Sequence, residues 1–92
     1  KISLMEFPPE LFLKIKAYEY QLHVSDKIKE IKRVIKYDIS TTFYLGKIEH
    51  SSIAFQVSYL KRSYQELVSW ISESDLKTLV KKELVIQRSI YD

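Results

Sequence analysis

The sequence contains no cysteine, one glycine and two prolines among its 92 residues. Without cysteine, neither a disulfide framework nor a thiolate metal site can form. Small secreted domains usually depend on such cross-links, so we expect an intracellular, cytoplasmic protein. Tight turns need residues that tolerate positive φ, so a single glycine argues against an all-β fold. The longest apolar runs, such as Leu84 to Ile86, are too short to cross a membrane.

What the chain does contain is typical of one folded globular domain, which we assign to residues 1–92. Hydrophobic residues make up 46% of the chain and charged residues 29%, which is far from the composition of disordered segments. The net charge of +3 is mild and permits binding to nucleic acid or to an acidic protein surface. The first residue is Lys1 rather than methionine, which is compatible with a fragment of a longer protein.

Apolar spacing predicts two helices in the first half of the chain. Pro9 and Glu10 suit a first helical turn. One face of that helix, which we predict to be core, carries Leu11, Ile15, Tyr18 and Leu22. Ser25 is a competent N-cap for a second helix that ends near Tyr37. The apolar arc of this second helix is formed by Ile28, Ile31, Val34 and Ile35. The short connection predicts an antiparallel helical pair.

Three segments have patterns typical of strands. Residues 1–7 alternate loosely before Pro8, which predicts a short strand or an extended arm. Alternation from Ile39 to Leu45, followed by Gly46, predicts a strand or hairpin near residues 41–48. Residues 84–91 are interpreted as a final strand.

Residues 52–60 fit two structures. Alternating apolar residues suit a strand, but a four-three-four-three-four spacing continues as far as Ile71 and suits a helix over residues 52–71. We favour the helix because the longer match is less often accidental. Ser72 or Ser74 then caps a further helix that ends near Glu83. The predicted fold class is α+β, mainly α, with about four helices.

The second predicted helix carries a basic stripe opposite its isoleucines, formed by Lys29, Lys32, Arg33 and Lys36. Residues 26–37 contain five basic and two acidic side chains, a surplus of three that equals the net charge of the chain. Like charges four residues apart repel, so the stripe favours contact with phosphates or an acidic protein surface. The alternative is an ordinary solvated helix face.

The C-terminal third, SYQELVSWISESDLKTLVKKELVIQRSIYD, has the order helix, turn, helix and strand. Its apolar spacing and its Lys81-Lys82-Glu83-Leu84-Val85 ending resemble winged helix domains over about thirty residues. The resemblance implies that Lys77, Lys81 and Lys82 contact the groove or the phosphates, with Arg88 on the strand beyond. The segment departs from the family because no glycine marks its turn or a wing tip. The alternative is an amphipathic helical hairpin in a small bundle.

Aromatic side chains form a second stripe on the predicted long helix, consisting of Phe55, Tyr59 and Trp70. Such residues are typical of interface hot spots, although a small protein also needs aromatic residues in its core. The stripe therefore predicts either a partner-binding surface, such as that of a homodimer, or a helix that is buried on two sides.

Catalytic chemistry finds no support in the sequence. His23 and His50 lie at loop-like positions without metal-ligand spacing, and one glycine excludes a glycine-rich phosphate loop. We therefore expect no enzyme, no cofactor, no metal and no small-molecule substrate. The predicted function is a small regulatory nucleic-acid-binding protein, and the alternative is a protein-interaction module such as an adaptor or inhibitor.

Overall fold

A computed structural model describes the backbone of residues 9–91 and the side chains of residues 13, 14 and 16–91. Its elements are α1 (Pro9–Tyr44), a 3-10 turn (Ile48–His50), α2 (Ile53–Ser63), α3 (Gln65–Val68) and α4 (Glu73–Tyr91). No strand occurs in this range, so the predicted α+β class is wrong and only its mainly helical character is confirmed. The strand or arm expected at residues 1–7 lies outside the described residues.

Helix α1 is continuous through the two segments that were predicted as a helical pair. Ser25, the predicted N-cap, is an exposed residue in its interior. A serine inside a helix costs only about 0.5 kcal/mol relative to alanine, so packing farther along the helix outweighs that local preference. The predicted antiparallel pair is therefore wrong.

The strand or hairpin predicted near residues 41–48 is also wrong, because residues 39–44 form the last turns of α1. Ile31, Ile35 and Ile39 follow one another at helical spacing and are all buried, which fixes the helical conformation. The hydroxyl of Thr42 donates to the Asp38 carbonyl oxygen at 3.0 Å, within the helix. Packing of the isoleucine face thus overrides the β propensity of this stretch.

The only glycine in the sequence ends α1. Gly46 has φ of 71°, in the left-handed region that glycine tolerates. Its N–H donates to the Phe43 carbonyl at 3.0 Å, and the Lys47 N–H donates to the Thr42 carbonyl at 3.0 Å. These two bonds form a Schellman motif, which satisfies the last carbonyls of the helix.

The helix predicted over residues 52–71 is present as α2 and α3, with a break at Tyr64. The hydroxyl of Ser52 caps α2 by accepting a hydrogen bond from the Phe55 N–H at 3.1 Å. Ser72 similarly accepts from the Asp75 N–H at 3.1 Å and caps α4, as the sequence predicts.

Helix α4 runs on to Tyr91, so the final strand predicted at residues 84–91 is wrong. Leu76, Val80 and Leu84 recur every four residues and are buried, which carries the helix through the end of the predicted strand. The strand that a wing would need is therefore absent from the described residues, and the winged-helix-like architecture is not supported.

The helices form an up-down-up bundle. Helices α2 and α3 return antiparallel along α1, and α4 runs parallel to α1, with the Phe43 ring stacked on Tyr91 at 5.9 Å between centroids. The core is built from all four helices and consists of Ile31, Ile35, Ile39, Val57, Leu60, Val68, Leu76, Val80 and Leu84.

The first half of α1 extends beyond this bundle as a single helix, and we call its residues 9–22 the arm. The radius of gyration is 18.7 Å, whereas a compact chain of this length has about 12 Å. The protruding arm accounts for this large radius and for the elongated shape, whose principal extents are 64 × 23 × 17 Å. Tyr18 and Leu22, predicted as core, are 66% and 51% exposed. That part of the prediction is wrong because their face points away from the bundle.

Candidate interaction surfaces

The basic stripe lies on the outer side of α1. Lys29, Lys32, Arg33 and Lys36 are all exposed, opposite the buried isoleucines, as their spacing predicts. Arg33 forms a 3.5 Å ion pair with Glu30, one turn earlier. Both side chains of that pair are well exposed, so it contributes little to stability. The stripe is therefore accessible to a large partner.

The basic residues predicted on the C-terminal segment lie on two sides of α4. All four are exposed: Lys77, Lys81, Lys82 and Arg88. Three of them share one face, and Lys82 lies about 120° around the helix from that face. Lys82 instead joins Lys32 at a shallow groove between α1 and α4, lined by Lys32, Ile35, Leu79, Lys82, Glu83 and Ile86. The structure thus brings the two predicted basic groups together only at this groove.

The predicted aromatic stripe is not a single surface. Phe55 and Tyr59 lie on α2, whereas Trp70 follows α3, beyond the helix break at Tyr64. Phe55 stacks on the His50 ring at 4.4 Å between centroids and 6° between planes. Tyr59 is partly exposed. Since these three side chains do not share a helix face, they cannot act as one stripe.

Trp70 packs against α1 at the base of the arm. Its ring lies 4.9 Å from the His23 ring in an edge-to-face contact and 6.3 Å from the Tyr20 ring. The Lys27 ammonium lies 5.8 Å from the same ring centroid, within range of a cation–π contact. Trp70 therefore marks the level at which the bundle ends and the arm begins.

The arm is an exposed surface, although the spacing of its apolar residues predicts a core face. Every described side chain from Leu13 to His23 is exposed, and several of them are large and apolar: Leu13, Tyr18, Tyr20 and Leu22. The sequence does contain a pattern that is typical of such a surface, because apolar residues occur on two sides of this helix. Leu13 and Tyr20 continue the buried face of α1, while Tyr18 and Leu22 lie on the opposite side. A helix that is apolar on two opposite sides is normally covered on both.

A cavity of about 270 Å³, partly open to solvent and with a mainly apolar lining, lies between the end of α1 and the start of α2. It is lined by Asp38, Thr41, Thr42, Leu45, Lys47, His50, Phe55, Gln56 and Tyr59. Two of these residues also have an acceptor atom that is buried and has no hydrogen-bond partner in the described part of the chain, Oδ2 of Asp38 and Oε1 of Gln56. Burial raises the pKa of the Asp38 carboxyl above its ordinary value. Burial and the nearby Asp38 carboxylate also raise the pKa of the Tyr64 hydroxyl.

We expect Asp38→Asn to stabilise the protein at neutral pH by about 1 kcal/mol, the low end of the cost of an unsatisfied buried group. Because the folded pKa of Asp38 is raised, its protonated form favours the folded state at low pH. That contribution is lost as pH rises from 3.8 through the raised pKa. Urea unfolding of both proteins at acidic and neutral pH measures the difference. A stability gain that does not grow with pH would contradict this account.

A second carboxyl, Glu73 at the start of α4, has its pKa lowered by Lys61. The ammonium of Lys61 donates to Glu73 Oε1 at 2.7 Å and joins the end of α2 to α4. Both side chains are about half exposed, so the pair fixes geometry more than it adds stability.

Other candidate sites are few. Among residues 9–91, no three histidine, aspartate or glutamate side chains are placed to hold a metal ion. None of the helices in this range combines the length and apolar character that crossing a membrane requires. No protein-family model matches the sequence, and no curated protein or solved structure is significantly similar to it.

Proposed function

We propose that the chain is a protein-interaction module that self-associates, two copies pairing antiparallel through the outer face of the arm. The observation that carries the proposal is the exposure of Tyr18 and Leu22 on a stretch of α1 that none of the other described elements covers. Large apolar side chains grouped on a protruding helix are typical of an interface. A second copy of the chain is the partner that the next three observations favour.

The first is the spacing of apolar residues on this face. Leu11, Ile15, Tyr18 and Leu22 are separated by four, three and four positions, which reads the same in both directions. The side chains of Leu11 and Ile15 lie outside the described residues, and these two positions enter here through the sequence spacing alone. A two-fold interface requires such self-complementarity. In an antiparallel pair, position 11 lies opposite position 22 of the second copy, and position 15 lies opposite position 18.

The second is charge. The arm carries two lysines and two glutamates, a net charge of zero, so two arms can approach each other without repulsion. The same face of α1 continues into the basic stripe from Lys29 onward. A parallel pair would align the two stripes, and like charges facing each other are unfavourable. An antiparallel pair places each stripe beyond the end of the other arm.

The third is size. Fourteen helical residues span about 21 Å, with a helix diameter of about 10 Å. The area that such a pair buries is therefore at the small end of specific protein interfaces. We accordingly expect a reversible dimer with a dissociation constant on the order of 10 µM rather than a permanent one.

Sedimentation velocity of the whole chain across a concentration series tests this proposal. We expect a shift from monomer to dimer near that dissociation constant, with little change between low and high salt, because apolar contacts are hardly screened. A chain that stays monomeric throughout the series would overturn the proposal. The variants that locate the interface are described in the Discussion.

Nucleic-acid binding is a second candidate function, and the basic stripe favours it. Four basic side chains are exposed on the outer side of α1, and Lys82 extends the stripe at the groove that Lys32 lines. Exposed basic clusters of this kind neutralise phosphates and release counterions. Self-association would present two stripes and increase avidity for a long polyanion.

The test for this candidate compares two charge reversals that each lower the net charge by four. Lys29→Glu with Arg33→Glu is expected to weaken binding to duplex DNA or single-stranded RNA at least about tenfold and to reduce its salt dependence. Lys77→Glu with Lys81→Glu, on the other side of α4, is the matched control and should change binding much less. Fluorescence anisotropy at several salt concentrations gives both values. Equal losses would indicate non-specific attraction, and no binding by the unmodified chain would exclude this function.

A further inference from the structure

The shallow groove between α1 and α4 has an apolar floor that the bundle leaves partly uncovered. Its volume is about 240 Å³, and its apolar lining residues are Ile35, Leu79 and Ile86. Ile35 is buried and Leu79 packs against the core, whereas Ile86 is 41% exposed. Ile90, one turn farther along the same face of α4, is 64% exposed. Apolar surface therefore continues along α4 beyond what the core of the bundle covers.

The row of apolar side chains on this face of α4 suits one helix of a partner. Leu79, Ile86 and Ile90 are separated by seven and four positions, so they lie on one side of the helix. Eleven helical positions span about 17 Å, which is the length of three turns. Helices α1 and α4 run parallel, and the groove between two packed helices accepts side chains of a third helix at positions about one turn apart. A helix bound here extends the bundle by one member.

Lysines lie on both rims of the groove. Lys32 is on the α1 side and Lys82 on the α4 side, and both are exposed. Lys36, one turn after Lys32, is also exposed and continues the α1 rim. Glu83 is the one carboxylate among the lining residues, and its Oε2 already accepts a hydrogen bond from Gln87 Nε2 at 2.8 Å. The charge that complements this groove is therefore negative.

We propose that the groove binds an acidic amphipathic helix of a partner protein. The apolar side chains of that helix contact the row from Leu79 to Ile90, and its carboxylates meet Lys32 and Lys82. A second copy of this face is a poor occupant, because a two-fold pair would bring the lysines of the two copies together. A nucleic acid would neutralise the lysines but leave the apolar row uncovered. The groove lies on the bundle rather than on the arm, so the proposal does not depend on self-association.

Fluorescence anisotropy with a designed peptide tests the proposal. The probe is a labelled amphipathic helix of about 18 residues, or five turns, with leucine on one face and glutamate on the other. We expect saturable binding with a dissociation constant on the order of 50 µM that weakens as salt rises. A peptide of the same composition in scrambled order is the control, and it should bind at least about tenfold more weakly. No saturation by the amphipathic probe, or equal binding of the two peptides, would overturn the proposal.

Two charge reversals locate the acidic contact. Lys32→Glu with Lys82→Glu should weaken binding of the probe at least about tenfold, because carboxylates then face carboxylates. Lys77→Glu with Lys81→Glu makes the same change in net charge on the opposite side of α4, and it should change affinity less than about twofold. Equal losses in the two variants would mean non-specific attraction and would contradict the proposal.

Two apolar-to-polar changes separate the groove from the arm and from a nucleic-acid site. Ile90→Ser should weaken binding of the probe about fivefold by removing apolar contact. Leu22→Ser, at a half-exposed position on the arm, is the matched control and should leave affinity unchanged. Circular dichroism reports whether each variant keeps its helical content. The proposal is wrong if Leu22→Ser weakens binding and Ile90→Ser does not. It is also wrong if an oligothymidine binds more tightly than the peptide, depends on Lys32 and Lys82, and is unaffected by Ile90→Ser.

Discussion

Replacing Leu60 with alanine is expected to lower the free energy of unfolding by about 3 kcal/mol. Leu60 has no exposed surface and belongs to the central cluster of the bundle. Removing its three outer carbons leaves a cavity that the neighbouring helices can close only in part. Since the total stability of a domain this size is about 5–10 kcal/mol, one substitution should remove a large share of it.

The control is the same chemical change at an exposed site. Leu22→Ala, in the arm, should change the stability of the monomer by about 0.5 kcal/mol or less, because this side chain is half exposed in the single chain. Urea unfolding followed by circular dichroism, at concentrations well below the dimer dissociation constant, measures both. Similar losses for the two variants would mean that the bundle is not the stable part of the molecule.

The second large effect is expected on self-association. Tyr18→Glu combined with Leu22→Glu should raise the dissociation constant of the dimer more than about a hundredfold, because pairing would bury carboxylates in an apolar interface. Both side chains are exposed in the monomer, so the bundle should keep its fold. Sedimentation velocity reports association, and circular dichroism reports helical content.

The matched control introduces the same charges at the same residue types elsewhere on the surface. Tyr37→Glu with Leu45→Glu changes a tyrosine and a leucine that are 68% and 56% exposed, outside the arm. We expect this variant to dimerise like the unmodified chain. If both double variants lose association equally, net charge rather than the arm controls it. If neither does, the interface lies elsewhere and the proposed antiparallel arm pair is wrong.

Short-range spacing in the sequence was sufficient to predict one buried helix face and one helix cap. Ser72 precedes an apolar run and caps α4, as the spacing predicts, whereas Ser25, also predicted as a cap, lies inside α1. Ile31 and Ile35 recur at helical spacing, and both are buried. Gly46 was also a usable signal, because glycine is the residue that most often follows a helix C-terminus. The alternation of the preceding β-branched and aromatic residues instead predicts a strand that ends at Gly46.

Of the candidate sites, the basic stripe could be predicted from the sequence, and the cavity could not. The outward position of the basic stripe follows from residue spacing within one helix. The cavity does not, because Asp38 and Gln56 come together only when the chain reverses at Gly46 and α2 packs back on α1. Nothing local to either residue shows that its acceptor atom will be buried without a donor. The separation of Trp70 from Phe55 and Tyr59 likewise depends on the helix break at Tyr64.

The sequence by itself determined a mainly helical, cysteine-free chain, the buried face formed by Ile31 and Ile35 and the cap at Ser72, because these depend on composition and on short-range spacing. The tertiary structure decided which apolar face of α1 is covered. The residues of the arm repeat every three or four positions, as core residues do, and the helical repeat cannot distinguish a face that meets the bundle from one that points away. Only the packing of α2, α3 and α4 against the second half of α1 makes the first half a protruding arm.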